Sequence, residues 1–161
     1  MNTCSRLQAS RVAAFACLFS CLAAGAAPAW AALGDTVASG ASPASATAGE
    51  TLAGGAARVT SYVDAGGTHF NEYIASRSGE IFAYVWQGPT PPDLDVLLGR
   101  YAAAWRSGAA ALHASGRDGL HAARVDTPTV VVESGGHMRS YIGRAWLPGA
   151  LPAGVTEGGL R

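Results

Sequence analysis

Three short alternating runs separated by glycine-bearing turns occupy the middle of the chain, and they leave little choice of architecture. Residues 58–64 (RVTSYVD) put Val59, Ser61 and Val63 on one side of an extended backbone. Ala65-Gly66-Gly67 follows as a turn, because glycine adopts φ > 0 without steric cost. Residues 68–75 (THFNEYIA) alternate again, with Phe70, Glu72 and Ile74 opposed to His69, Asn71 and Tyr73. After a second turn at residues 76–79 (SRSG), residues 80–86 (EIFAYVW) are apolar on both sides: Ile81, Ala83 and Val85 against Phe82, Tyr84 and Trp86. A strand apolar on both faces either lies centrally in its sheet or keeps one face for a ligand. Turns this short join antiparallel neighbours, so the runs predict a meander.

A helix is expected next. Thr90-Pro91-Pro92-Asp93 offers Thr90 as a cap, Pro91 at the first helical position and Asp93 three residues past the cap. Leu94, Leu97, Leu98, Tyr101 and Trp105 then fall on one helical face, and Ser107-Gly108 is the expected stop. Residues 109–119 read either as a helical extension or as a loop. A second hairpin is expected from residues 129–133 (TVVVE), a turn at Ser134-Gly135-Gly136, and residues 137–147 (HMRSYIGRAWL), bulged at Gly143. The order is βββαββ. It predicts an α+β fold, an antiparallel sheet of about five strands with one helix packed on one face. The expected domain spans residues 58–147, with an irregular tail at 148–161.

Ahead of that domain the chain carries an export signal. Arg6 and Arg11 give a positive n-region, residues 12–24 (VAAFACLFSCLAA) an apolar h-region, and Gly25 and Pro28 a break. Ala29-Trp30-Ala31 places small residues at the two positions a signal peptidase reads, so residues 1–31 are expected as a signal peptide cut after Ala31. The h-region is shorter than the roughly 20 apolar residues of a membrane span, and no span is expected after cleavage. An uncleaved anchor is the competing reading, because Ala-rich sequence continues to Leu33. Residues 32–57, nearly all Ala, Ser, Gly and Thr, are expected as a flexible leader that cannot offset the entropy of ordering. Cys4, Cys17 and Cys21 all precede the cut. The mature chain would then have no disulfide and no thiolate chemistry. The alternative is a lipid anchor at Cys21, since Leu18-Phe19-Ser20-Cys21 loosely matches a lipobox; Phe19 and the apolar residues after Cys21 fit it poorly. Without residues 1–31, nine arginines face eleven carboxylates. That balance offers no attraction to phosphate backbones, so nucleic acid is set aside as a partner.

The chemistry-bearing residues form no strong constellation. The four histidines, His69, His113, His121 and His137, have no i, i+4 pair on a helix, and His69 and Glu72 lie on opposite strand faces. No metal site or cofactor is expected. Ser134 in Glu-Ser-Gly-Gly-His lacks the glycine two residues earlier that a nucleophile elbow requires; Val132 stands there. Asp93 and Asp95 are accounted for by capping and the helix dipole. Glu133, His137 and Arg139 flank one expected turn and are weak catalytic candidates if they converge. Tyr73, Tyr84, Trp86, Tyr141 and Trp146 lie on strands. One helix covers one face, so either these rings fill the core, or some of them, with Tyr73, Tyr84, Trp86 and Tyr141 the candidates, line an open face and bind a ligand or partner.

Several of these segments together resemble a known family. Glu72-Tyr73, Gly79, residues 82–89 (FAYVWQGP), Pro92-Asp93-Leu94, residues 97–101 (LLGRY), residues 132–139 (VESGGHMR), residues 143–146 (GRAW), residues 151–155 (LPAGV) and Ala32-Leu33-Gly34 are similar to the bacterial secreted family named domain of unknown function 2844. The resemblance implies a protein exported by Gram-negative bacteria and assigns no activity and no site residue. The expected function is therefore an exported periplasmic or secreted module, non-catalytic, that binds an envelope protein or a small ligand. The alternative is a small hydrolase-like enzyme built around the Gly135-Gly136 turn.

Overall fold

The structure, a computed structural model, describes residues 31–37, 46–117, 119 and 122–161. The expected signal peptide up to Trp30, the Cys21 anchor site and His121 lie outside the described residues.

Seven antiparallel strands form one sheet: β1 (Thr47–Leu52), β2 (Ala57–Val63), β3 (His69–Ala75), β4 (Ile81–Gly88), β5 (Ala122–Asp126), β6 (Val131–His137) and β7 (Ser140–Trp146), in the spatial order β1-β2-β3-β4-β7-β6-β5. The helical segment between β4 and β5 comprises α1 (Leu94–Leu98), a 3₁₀ turn (Gly99–Tyr101) and α2 (Ala102–Ala114). The α+β class and the antiparallel sheet are as the sequence predicts. The strand count and order are not. Seven strands replace about five, and ββββαβββ replaces βββαββ. Both additional strands lie at the sheet edges, where a strand needs little apolar alternation. In strand β1 (TAGETL), Thr47, Gly49, Glu50 and Thr51 are exposed and Leu52 is half-buried, and β5 (AARVD) buries only Val125.

The β2–β3–β4 meander forms with its expected turns, but β4 bulges. Tyr73 pairs with Ala83 and Ile74 with Ile81, so Phe82 is the extra residue. The bulge reverses the alternation at that point. Ile81 joins Tyr84 and Trp86 on the helix-covered face, and Phe82 joins Ala83 and Val85 on the other. The helix starts one turn later than the proline pair suggests. Asp93 is the cap, accepting from the backbone N–H groups of Asp95 (3.0 Å) and Val96 (3.2 Å). Thr90 instead donates its hydroxyl to the Gly66 carbonyl (2.9 Å), tying the helix entry to the β2–β3 turn. Gly108 does not stop the helix. A Cβ there would lie 2.5 Å from Val125 Cγ1, so the glycine lets α2 approach β5.

The second hairpin turns three residues later than expected. Strand β6 runs through Ser134-Gly135-Gly136 to His137, which pairs with Ser140, and Met138-Arg139 form the two-residue loop. Both have positive φ, 46° and 64°, the signature of a type I′ turn. The glycines meet a packing demand instead. A Cβ on Gly136 would sit 2.7 Å from the Tyr141 ring, and one on Gly143 only 2.3 Å from the Trp86 ring.

Both faces of the sheet are covered. On one, Tyr62, Phe70, Ile74, Ile81, Tyr84, Trp86, Val132 and Ala145 pack with Leu98 and Ala102 of the helical segment. On the other, residues 148–161, expected as an irregular tail, lay Leu151, Val155 and Leu160 over Ala57, Tyr73, Phe82 and Trp146. The expected flexible leader also contributes structure: β1, a bridge from Thr36 to Glu80, and Leu33, which is 0% exposed in the helix-face core.

Candidate functional site

Beside the helix entry, the helix-covered face of the sheet leaves a groove of about 320 Å³. Its base is the glycine-rich part of β6, Gly135 and Gly136, with Trp86 of β4 and Tyr141 of β7 alongside. Pro91, Pro92 and Leu94 form one wall, and Gly119, Ala122 and Ala123 the other. The register explains the geometry. Trp86 pairs with Gly143 and Tyr141 with Gly136, so each large ring faces a residue that has no side chain. Trp86 is buried and borders the groove, whereas Tyr141 is half-buried and offers its hydroxyl as a polar handle. The backbone groups, the Ser134 hydroxyl and the tyrosine are the polar elements of an otherwise apolar lining, the mix found in small-molecule sites.

The other candidate side chains are distributed as follows. Tyr84 is buried in the helix-face core. Its hydroxyl lies 3.0 Å from Glu72 Oε2 and 2.7 Å from the Ala31 carbonyl. Burial drives the Tyr84 hydroxyl well above the usual tyrosine range, with the Glu72 charge adding to it. Burial likewise raises the Glu72 carboxyl, opposed by its hydrogen bond from Tyr84. Tyr73 is buried on the opposite face, against Phe82 at 6.1 Å between ring centroids, and donates its hydroxyl to the Arg161 carbonyl. Of the four candidate aromatics, the groove therefore brings together Trp86 and Tyr141 and excludes Tyr73 and Tyr84.

Glu133, His137 and Arg139 do not converge. Glu133 lies within β6, and His137 is four residues further along the same strand, roughly 13 Å away at strand rise. Arg139 projects from the exposed turn. Glu133 is held instead between Arg124 (2.5 Å) and Arg144 (2.6 Å). The hydrogen bond from Arg144 lowers its carboxyl below the usual range, against partial burial, with Arg124 adding to the effect. Both guanidinium groups also lie over the Trp146 ring, at 5.3 and 5.1 Å. This cluster staples β5, β6 and β7. Ser134 sits in mid-strand, and no helix follows it. Among the described residues, no three or more His, Cys, Asp or Glu side chains are grouped so as to hold a metal ion. Among them too, no helix is long and apolar enough to cross a membrane.

Residues 29–159, which take in the sheet, the helix and all but the last two residues of the tail, match the model of the family described as protein of unknown function, DUF2844. The chain belongs to the DUF2844 family. No curated protein and no solved structure matches it. The segments at β4 and its exit, the helix entry and the β6–β7 hairpin border the groove, whereas Glu72-Tyr73, Gly79, residues 151–155 and residues 32–34 lie elsewhere in the fold. A site residue that sequence reasoning missed is Pro92. It borders both this groove and a second apolar recess, and its only signal was its place in a helix-start motif.

Proposed function

We propose that this DUF2844 chain is an exported, non-catalytic binding or accessory module of the bacterial envelope, and that it takes an apolar ligand or the apolar segment of a partner in the Trp86–Tyr141 groove. The observation that carries the reading is that a half-exposed Tyr141 and the buried Trp86 line one groove whose base is the glycines of β6. The recess beside the two rings is lined by apolar side chains, backbone groups and the Ser134 hydroxyl, so an apolar ligand desolvates few polar groups there. Export is supported by the n-region, the h-region and the Ala29-Trp30-Ala31 junction. Glu133 lies roughly 13 Å along the strand from His137, and Arg139 is on the exposed turn, which favours a binding role over the hydrolase-like alternative.

The test is titration of the mature protein with the apolar fluorophore 1-anilinonaphthalene-8-sulfonate. Tyr141→Ala should weaken probe binding about tenfold, the scale of one lost aromatic contact, while the melting temperature stays within a few degrees. Ala122→Glu, at an exposed rim position, should weaken it with no ring removed. Equal probe affinity in both variants would refute the groove as the binding site.

A further inference from the structure

We infer that the fold contains a built site for its own processed N-terminus: the α-ammonium group that cleavage would leave on Ala32 binds between Asp35 and Tyr84, backed by the Glu72 carboxylate. The inference rests on the export reading above, through the cleavage position that reading names.

The segment concerned is fixed in an unusually deliberate way for an Ala- and Gly-rich leader. Leu33 is completely buried in the helix-face core. Its N–H donates to the Leu97 carbonyl (2.8 Å), and the Gly34 N–H donates to the Ile81 carbonyl (2.8 Å). The Asp35 carbonyl accepts from Ile81 (2.9 Å), and Arg100 donates to the Gly34 carbonyl. Two glycines make room for it. Gly34 has φ +82°, and a Cβ on it would meet Arg100 at 2.6 Å; a Cβ on Gly99 would meet Ala32 at 2.6 Å. These contacts hold Ala32 at one place, beside a set of acceptors.

Those acceptors suit an ammonium better than a peptide bond. The Ala32 nitrogen lies 2.9 Å from Asp35 Oδ2. Tyr84 Oη lies 2.7 Å from the Ala31 carbonyl oxygen and 3.0 Å from Glu72 Oε2. A tyrosine hydroxyl has one proton, so in the uncut chain two acceptors compete for it. Hydrolysis of the Ala31–Ala32 amide consumes one water, breaks the C–N bond, and leaves a carboxylate on Ala31 and a protonated amine on Ala32. The competing carbonyl departs. The amine it leaves is roughly 2.3 Å from the oxygen it replaces, from standard bond lengths. Tyr84 then donates to Glu72 and accepts from the ammonium, whose other donors reach Asp35 and solvent. Every partner is satisfied, and a buried carboxylate gains a countercharge.

The surroundings favour a cation. A recess of about 350 Å³ that Ala31 helps to line is also lined by Asp64 and Asp93. A carboxylate placed there would face these groups and Glu72 as like charges, whereas an ammonium would face them as opposite charges. Hydrolysis must also precede docking, because the half-buried junction is tucked against Gly99 and Tyr84 once folded. Cleavage therefore completes the fold.

The test compares the chain starting at Ala32, released from a cleavable fusion, with the same chain acetylated at its α-nitrogen. The free amine should melt about 3–6 °C higher, on the scale of one charge-assisted hydrogen bond in a domain of this size. Asp35→Asn should erase most of that difference. A conservative Tyr84→Phe, which keeps the ring packed, should reduce it too. Equal melting of the free and acetylated chains would overturn the inference. The result does not depend on where the cell cuts: recovery of an exported protein starting elsewhere would refute the cleavage position and leave the melting comparison intact.

Discussion

Truncating Leu33 separates the observed fold from a domain preceded by a loose leader. Leu33→Ala removes a fully buried side chain from the helix-face core. Leu→Ala at such sites costs about 2–5 kcal/mol, the range reflecting how far the surroundings collapse into the cavity. Collapse is limited here, because the flanking backbone is pinned by bonds from Leu33 to Leu97 and from Gly34 to Ile81, both 2.8 Å. A loss of about 3 kcal/mol is therefore expected. With a urea m-value of about 1.5–2 kcal/mol/M, the unfolding midpoint should fall by about 1.5–2 M. Urea melts of the chain starting at Ala32, followed by tryptophan fluorescence, measure this directly. An unchanged m-value would mean that the cavity opens within a still-docked segment. If residues 32–57 were a solvated tether, Leu33→Ala would behave as a surface substitution, within about 0.5 kcal/mol. A midpoint shift under about 0.3 M would refute the docking of this segment.

Two further outcomes follow from the β6–β7 hairpin. Met138 and Arg139 both hold left-handed backbone without glycine or asparagine, at a strain of about 1 kcal/mol each. Replacing them with Asn-Gly should raise stability by about 1–2 kcal/mol in chemical denaturation; no gain would mean that the turn is not type I′. Glu133 has a folded-state carboxyl lowered by Arg144 and Arg124, so its contribution is present above the unfolded value, about 4.3, and is lost as pH falls through the lower folded value. Melting temperature against pH should therefore drop less steeply below about pH 4.5 in Glu133→Gln than in the parent, and parallel curves would show that the Arg–Glu–Arg cluster does not stabilise the native state.

The central meander was legible because alternation and glycine turns are local signals, and Phe70, Tyr84 and Trp86 report a buried face by their chemistry alone. The edges were not legible. Strand β1 carries one large apolar side chain, Leu52, and so shows no apolar alternation, and Leu33 stands alone among small residues. Its burial depends on Gly34 and Gly99, a pairing across 65 positions that no window along the chain reveals. The Gly135-Gly136 pair misled for the complementary reason. Glycine marks a turn or a close approach, and only the Tyr141 ring across the hairpin distinguishes them. The candidate site divided in the same way. Tyr73 and Tyr84 needed the tail and the N-terminal segment to bury them, and both are tertiary partners. Trp86 and Tyr141 share a groove only because a helix entry passes nearby.

The start of the mature chain is read most directly from the intact mass of the protein recovered from the envelope fraction of an expressing Gram-negative host. The predicted result is the mass of the chain from Ala32 to Arg161, with no cysteine to alkylate. A mass carrying a diacylglyceryl group on Cys21, or one retaining residues 1–31, would contradict it.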